Sequence, residues 1–374
     1  MNTYDAVVAG CGIIGASIAL ELTEAGMKVA LYDAREPGRE ASWASAGMIS
    51  PAPENAAMIA FMPLSMASVA LYPGFIQKIE QLSGKSVGYR QDGALDVILE
   101  GDPKEELSTI IAMQHGVGLK AEALSAERTR QLEPAVTEEV LAAAFRPEEA
   151  SLDTRVLTDA ALQAAQHKGA RVFARNGAKA VWKEGTRCKG LLLEDGQVSA
   201  KWTIIAAGCF SARIAGVERY APVFPAKGQM IGLRCESVEL KRVLWLEHTY
   251  LVPRNNGRII AGSTIERTGF DHDVTAGGMN KILSGAIRLV PGLANARIEE
   301  TWAGLRPDSP DHLPILGPTD VEGLLMATGH FRSGILLAPI TARLTREWIT
   351  TQKVSVDWDR FGPMRFADAA KSGY

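Results

Sequence analysis

The chain has 374 residues, 47% of them hydrophobic and 22% charged, a balance that excludes a disordered or fibrous protein. That length exceeds what one ordinary core organises, so two domains are expected. Forty basic residues stand against 43 acidic ones for a formal net charge of −3, spread rather than blocked, which speaks against a nucleic-acid partner.

In chain order, the first element is a short apolar, β-branched run, Tyr4 to Ala9, that reads as a buried parallel strand. Gly10-Cys11-Gly12-Ile13-Ile14-Gly15 follows, then helix formers from Ala16 to Leu22, then a second strand from Lys28 to Tyr32 that ends at Asp33. This is a complete βαβ dinucleotide fingerprint. Gly10 permits the tight turn, Gly12 lets the backbone approach a pyrophosphate, and Gly15 lets the helix pack close to the sheet. The helix N-terminus offers N–H groups and partial positive charge to phosphates, and Asp33 is placed to accept from ribose hydroxyls. The fingerprint itself does not separate NAD from FAD. The small-residue stretch Glu40 to Met48 suits a backbone lying along a flat ring system, or equally a helix start capped by Ser42 or Ser45.

A mostly helical stretch is predicted to about Leu82, then a strand-like segment from Ser86 to Leu99 with a turn at Gly93. Helical runs at Glu105–Met113 and Ala126–Leu132 precede a strand at Leu141–Phe145. The pattern changes from Asp153: a helix, Val156–His167, a stop at Gly169, and a strand from Arg171. The run Trp202 to Gly208 reads as a buried strand closing on glycine and belongs back in the nucleotide sheet. Strands at Val223–Leu233, Val243–Val252 and Arg258–Thr264, a helix at Met279–Leu289 and a strand at Arg297–Arg306 come next. A last βα pair spans Leu324–Thr328 and Gly334 to about Thr350. The expected fold is α/β, with a Rossmann-like nucleotide domain (1–82 with 151–220 and 305–374). It is interleaved with an α+β substrate domain on an antiparallel-rich sheet (83–150 with 221–304).

The four cysteines, Cys11, Cys188, Cys209 and Cys235, lie far apart with no CxxC pair and no zinc-ligand spacing, so no metal is expected and the thiols read as reduced. The N-terminal stretch lacks the basic region of a secretory signal, and no uncharged apolar run is expected to reach the ~18 residues of a bilayer span. The expectation is a cytoplasmic protein without a membrane span.

With these residues in place, the sequence closely resembles the glycine oxidases, flavoproteins of thiazole biosynthesis within the D-amino-acid oxidase and sarcosine oxidase superfamily. The likeness is carried by the run from Val8 to Gly15, by Ser45-Ala46-Gly47-Met48, by Tyr250-Leu251-Val252-Pro253-Arg254, by Trp302-Ala303-Gly304-Leu305-Arg306-Pro307, and by Gly329 to Pro339. It implies FAD, an amine substrate such as glycine, sarcosine, D-alanine or D-proline, oxidation of a Cα–N bond to an imine, and a homo-oligomer. Residue by residue, it implies that Ile13, Ile14, Asp33 and Ala34 touch the ADP half of FAD. Ala41, Ser42, Ala46, Gly47 and Met48 line the isoalloxazine side, the backbone of Ala178 meets adenine, Gly208 belongs to the cofactor site, and His330, Phe331, Arg332, Ser333, Gly334, Ile335 and Leu336 run along the ring. The covalent sarcosine oxidases attach flavin through a cysteine beyond the position of Arg306; the segment Pro307 to His312 has none, so FAD is expected to bind non-covalently.

The resemblance further implies that Arg306 and Tyr250 hold the substrate carboxylate, with Arg332 close to the same pocket and Met48 and Ile265 bounding it. Arginine suits that task because its planar fork binds both oxygens and keeps its proton. The alternatives are a structural ion pair for Arg306 and a core position for Tyr250. His248, two residues before Tyr250, is expected on the same strand face, either behind the pocket or as a structural histidine. Electrons pass to O₂ in an oxidase, or to a quinone or other carrier in a D-amino-acid dehydrogenase; a non-catalytic flavin scaffold would have no need of a carboxylate clamp. A helix starting at Gly334 would aim its first N–H groups at the negative charge of reduced flavin.

Overall fold

Strand Thr3–Ala9, helix Ile13–Glu24 and strand Val29–Tyr32 form the expected βαβ unit, with Ala6 to Ala9 parallel to Val29 to Tyr32. In this computed structural model, which describes residues 3–52 and 56–369, the unit nucleates the first of two eight-stranded sheets. On one side of Thr3–Ala9 lies Val29–Tyr32 and then Arg171–Phe173; on the other lies Gln197–Ile205 and then Leu324–Thr328, all parallel. The chain therefore reverses its direction of sheet growth beside the glycine loop, and a crevice opens at such a switch point. Strand Ile315–Pro318 and the hairpin Ala178–Glu184/Arg187–Leu193 add antiparallel edges.

Parallel strands need both faces covered. One face receives helices Ile13–Glu24, Met62–Ser83, Thr154–His167 and Gly334–Thr351, whose buried Ile18, Leu64, Ile79, Leu157 and Leu337 form a single apolar cluster with Val8, Leu31 and Ile204. Among the described residues the segment Ile59–Ser83 is long and apolar enough to cross a membrane, which corrects the expectation that no run approaches that length. Its Leu64, Tyr72 and Ile79 are fully buried against those neighbouring helices, and Ser68 Oγ donates to Leu336 O at 2.5 Å, so within this fold one face of it packs inward while Met66 and Ala70 stay exposed.

The second sheet runs Arg297–Asp308, Phe224–Arg234, Arg258–Gly262, Thr249–Pro253, Val243–Leu246, Ala94–Ile98, Ala142–Arg146, Glu122–Ser125. Every pairing is antiparallel except Val243–Leu246 with Ala94–Ile98. Side chains alternate between its faces. Ile231, Leu233, Leu251 and Ala261 pack against Ile282, Ala286 and Leu289 of helix Ala276–Leu289. Met230, Tyr250, Val252 and Trp302 face the other way, onto Ala44 and Ala46, which follow the βαβ unit in the chain. The strand Arg297–Asp308 continues past residue 304, where the sequence placed a boundary, so Arg306 belongs to the second sheet.

Candidate functional site

The glycine loop is shaped by contacts that no side chain could share. Gly10 has φ +107, and a Cβ there would lie 2.4 Å from Ala206 O; a Cβ at Gly15 would lie 2.0 Å from Gly10 O. The loop backbone thus reaches the crevice and hands over to the helix at Ile13, with Gly12 as its N-cap and no side-chain cap bond. Ser42 Oγ accepts from Ile13 N at 3.0 Å. Asp33 joins the second strand to this loop: its Oδ2 accepts from Cys11 N at 2.9 Å and its Oδ1 from Arg35 N at 3.0 Å. Burial pushes the Asp33 carboxyl above the ordinary range, an effect these two N–H donors and Arg35 oppose.

A cavity of about 420 Å³ runs from this loop to the second sheet. At one end it is lined by Asp33, Ala34, Gly177, Ala178 and Gly208, with Gly10, Gly12, Ile13 and Ile14 beneath. A Cβ at Gly177 would lie 2.5 Å from Ala34 Cβ, so this wall too is cut to close approach. The cavity is further walled by Ala41, Ser42, Ala46 and Met48 and by His330, Phe331, Arg332, Ser333, Gly334, Ile335 and Leu336. His330 is buried, its Nε2 3.1 Å from Thr341 Oγ1, and burial lowers its pKa to about 3, so the imidazole is neutral. Helix Gly334–Thr351 starts here, and Ser333 at its N-cap makes no side-chain cap bond.

The far end belongs to the even-numbered, inward face of the second sheet. Arg306 is half-buried and its guanidinium rests on Gly228, where a Cβ would come within 2.2 Å of Nη1. Arg306 Nη2 donates to Ser263 Oγ at 2.8 Å and Nη1 to Thr264 O at 3.2 Å. Tyr250 is buried, donates to Met230 Sδ at 3.3 Å and meets the Trp245 ring edge-on at 5.0 Å. A Cβ at Gly262, opposite both Met230 and Tyr250 in the sheet, would lie 2.4 Å from Met230 Sδ.

Of the expected site residues, the structure gathers Arg306, Tyr250, Arg332 and Met48 with Gly10, Gly12, Ile13, Ile14, Ala41, Ser42, Ala46, Ala178, Gly208 and His330 to Leu336 around this cavity. Gly15 and Gly47 stand behind its wall, where a Cβ at Gly47 would lie 2.1 Å from Leu152 O. Two expectations are corrected. His248 does not share the face of Tyr250: Leu246 pairs with Thr249, so Glu247 and His248 form the two-residue turn of a hairpin, and His248 is exposed. Ile265 lies beyond the strand end at Gly262, in a loop, 53% exposed and off the cavity. The sequence reading missed Gly228, Met230, Trp245 and Gly304, which line the cavity. Alternation outward from Arg306 and Tyr250 picks out Gly304 and, across the ladder, Gly228 and Met230.

A glycine loop at the switch point of a parallel sheet, an acid at the second strand's end and a cleft ending on an arginine-bearing antiparallel sheet define a flavin-dependent oxidoreductase. The chain belongs to the DAO family: residues 5–348 match the family described as FAD dependent oxidoreductase. It is 36% identical over 372 residues to the "Bifunctional protein ThiO/ThiG" of Synechocystis sp., covering 98% of this chain and 54% of that one, so the chain spans about half the length of those bifunctional relatives. It is 30% identical to the "Glycine oxidase" of Bacillus licheniformis over 95% of both chains. The structure of glycine oxidase from Geobacillus kaustophilus superposes with a TM-score of 0.93 at 28% identity, covering 98% of this chain and 99% of that one. FAD is accordingly the cofactor, and the cleft fits it, since Gly10, Gly15 and Gly177 each hold backbone where a Cβ would clash.

Proposed function

We propose that this flavoenzyme oxidises glycine and other small amines, such as sarcosine, D-alanine and D-proline, to the imine. The observation that carries the reading is Arg306, held over Gly228 by Ser263 and Thr264 at the cavity's end, beside Tyr250. FAD, held by the glycine loop and the 330–336 segment, would supply the two-electron acceptor for the substrate's Cα hydride and, in an oxidase, pass both electrons on to O₂ to give H₂O₂. Arg306 binds the substrate carboxylate through both oxygens and so aims Cα into the cavity. Tyr250 turns its hydroxyl from Met230 Sδ, a weak acceptor, to a carboxylate oxygen. Arg332, on the opposite wall, orients the site. In this reading the first sheet and its helices hold FAD and the second holds the substrate. FAD binds non-covalently, because Cys209, the cysteine on the cavity wall, has its thiol pushed up to about 12 by burial and stays protonated.

Glycine, sarcosine or D-alanine, mixed anaerobically with the yellow protein, should bleach flavin absorbance near 450 nm. No bleaching by any small amine overturns the proposal. Fast recolouring in air marks an oxidase, and slow recolouring with rapid recovery on adding a quinone marks a dehydrogenase.

A further inference from the structure

The segment Trp43 to Gly47 passes between the first unit and the second sheet, and Ala44, Ser45, Ala46 and Met48 form part of the cavity wall. Its five successive carbonyls are each taken by a donor from elsewhere in the chain. Trp43 O accepts from Arg155 Nε at 3.4 Å, and Ala44 O from Trp302 Nε1 at 3.0 Å. Ser45 O accepts from Thr154 Oγ1 at 2.9 Å, Ala46 O from Arg254 Nη2 at 2.6 Å, and Gly47 O from Leu152 N at 2.9 Å. Three of these donors come from Leu152 to Arg155 and two from the second sheet, Trp302 on a strand and Arg254 just past the end of another, so both halves of the molecule grip one stretch of wall.

The grip is built and buried. Arg155 lies over the Trp43 ring at 3.6 Å and the Trp302 ring at 4.7 Å, and its Nη1 meets Glu300 Oε1 at 2.5 Å. A Cβ at Gly304 would lie 2.3 Å from Ala44 Cβ, so the strand and the segment are in direct contact. Burial lowers Arg254 to about 10, with Arg258 and Arg155 adding to the shift and Asp153 opposing it; it is charged at neutral pH all the same. A charged donor on a carbonyl makes a short, strong bond. Because a trans peptide carries its N–H opposite its C=O, a donor that fixes each oxygen also fixes the direction of the next residue's amide.

We propose that Arg254, Trp302 and Thr154 are positioning residues for the flavin. By taking the carbonyls of Ala44 and Ser45, Trp302 and Thr154 hold the peptide planes that carry the N–H groups of Ser45 and Ala46 on the cavity wall, and Arg254, on the Ala46 carbonyl, braces the next plane, whose Gly47 N–H ties back to Ser45 Oγ at 3.3 Å. Nothing in this depends on which amine is oxidised, and binding of FAD to the apoprotein reads it without turnover.

Trp302→Phe keeps an aromatic ring against Arg155 while removing the donor; Thr154→Val removes another; Arg254→Met and Arg254→Lys delete and retain the third. The loss of one wall bond should weaken FAD binding by about tenfold in Trp302→Phe and Arg254→Met, with a shift of the bound flavin's visible absorption bands. Arg254→Lys should recover most of both. If Arg254→Met yields no folded protein, weaker binding in Trp302→Phe and Thr154→Val supports the proposal equally. FAD affinity and spectrum like the parent protein's in Trp302→Phe and Thr154→Val, whatever their melting temperatures, would overturn it: the bonds would then hold the fold and not the ring.

Discussion

Gly228 shows what a single missing side chain does for this site. Its Cα leaves the space in which the Arg306 guanidinium lies, and a methyl group there would meet Nη1 at 2.2 Å and Nη2 at 2.5 Å. The guanidinium is the far end of a flexible chain, so Gly228→Ala should displace it and leave the fold intact. We expect KM for the amine to rise about tenfold with little change in melting temperature; kinetics with an unaltered KM would remove Arg306 from the anchoring role. Replacing the fork itself is more severe: Arg306→Lys should raise KM about a hundredfold and Arg332→Lys much less, because only the true anchor loses a bidentate pair. His330 gives a pH signature. The unfolded chain takes up a proton below about pH 6.5, whereas the buried imidazole does so only near pH 3. Between those values the unfolded state binds more protons, so stability falls as pH falls, by up to about 1.4 kcal/mol per unit. His330→Gln should lose that share, and urea melts from pH 6.5 to 4 should show a shallower decline than the parent's.

At the scale of elements, the loop after strand Arg258–Gly262 decides where Arg306 points. Ser263 and Thr264 hold the guanidinium, and the rest of the loop is tied back to strand Phe224–Arg234. Lys227, 1% exposed, reaches Asp271 Oδ2 at 2.5 Å and Glu266 Oε2 at 3.7 Å; Gln229 Nε2 donates to Glu266 Oε1 at 2.7 Å, and its Oε1 accepts from Thr275 N at 2.8 Å. Lys227→Met strands two carboxylates beside an apolar chain. We expect a lower urea midpoint and a KM raised about tenfold, with FAD affinity unchanged; a stability loss alone would reduce the pair to a structural one. Period-two alternation was enough to assign faces to these strands. It failed at Glu247–His248 because that turn, with Glu247 at φ +52, contains none of the Gly, Asn or Asp residues by which such turns are recognised. A continuous strand from Val243 to Val252 was the natural reading, and it put His248 on the wrong surface.

Across the whole molecule, the FAD cleft is walled by both sheets, so cofactor binding and folding are linked. Stripping FAD should lower the melting temperature by several degrees, since a ligand at a hundred times its Kd stabilises by about 2.7 kcal/mol. Restoring FAD should recover it, and an apoprotein melting at the holoprotein's temperature would contradict that linkage. Among the described residues that line the cavity no side chain stands out as a base for the substrate ammonium, so the amine enters deprotonated or loses its proton to water. Capture of substrate, read as kcat/KM, should therefore climb from neutral toward pH 10, and a flat profile would refute this.

The sequence by itself determined the βαβ unit, the glycine loop, Asp33, the return of the chain at Trp202 to Gly208 and at Leu324 to Thr328, and Arg306 as a charge worth explaining. Local periodicity and backbone chemistry suffice for these, because each is written in neighbouring residues. Only the tertiary structure decided what surrounds them. Gly228 beneath Arg306 and Met230 against Tyr250 come from other strands of the same sheet, and the donors that take the carbonyls from Trp43 to Gly47 come from positions about 100 to 260 residues away. Ala44 O and Trp302 Nε1 are neighbours because two sheets close on each other, and that contact depends on how whole faces pack.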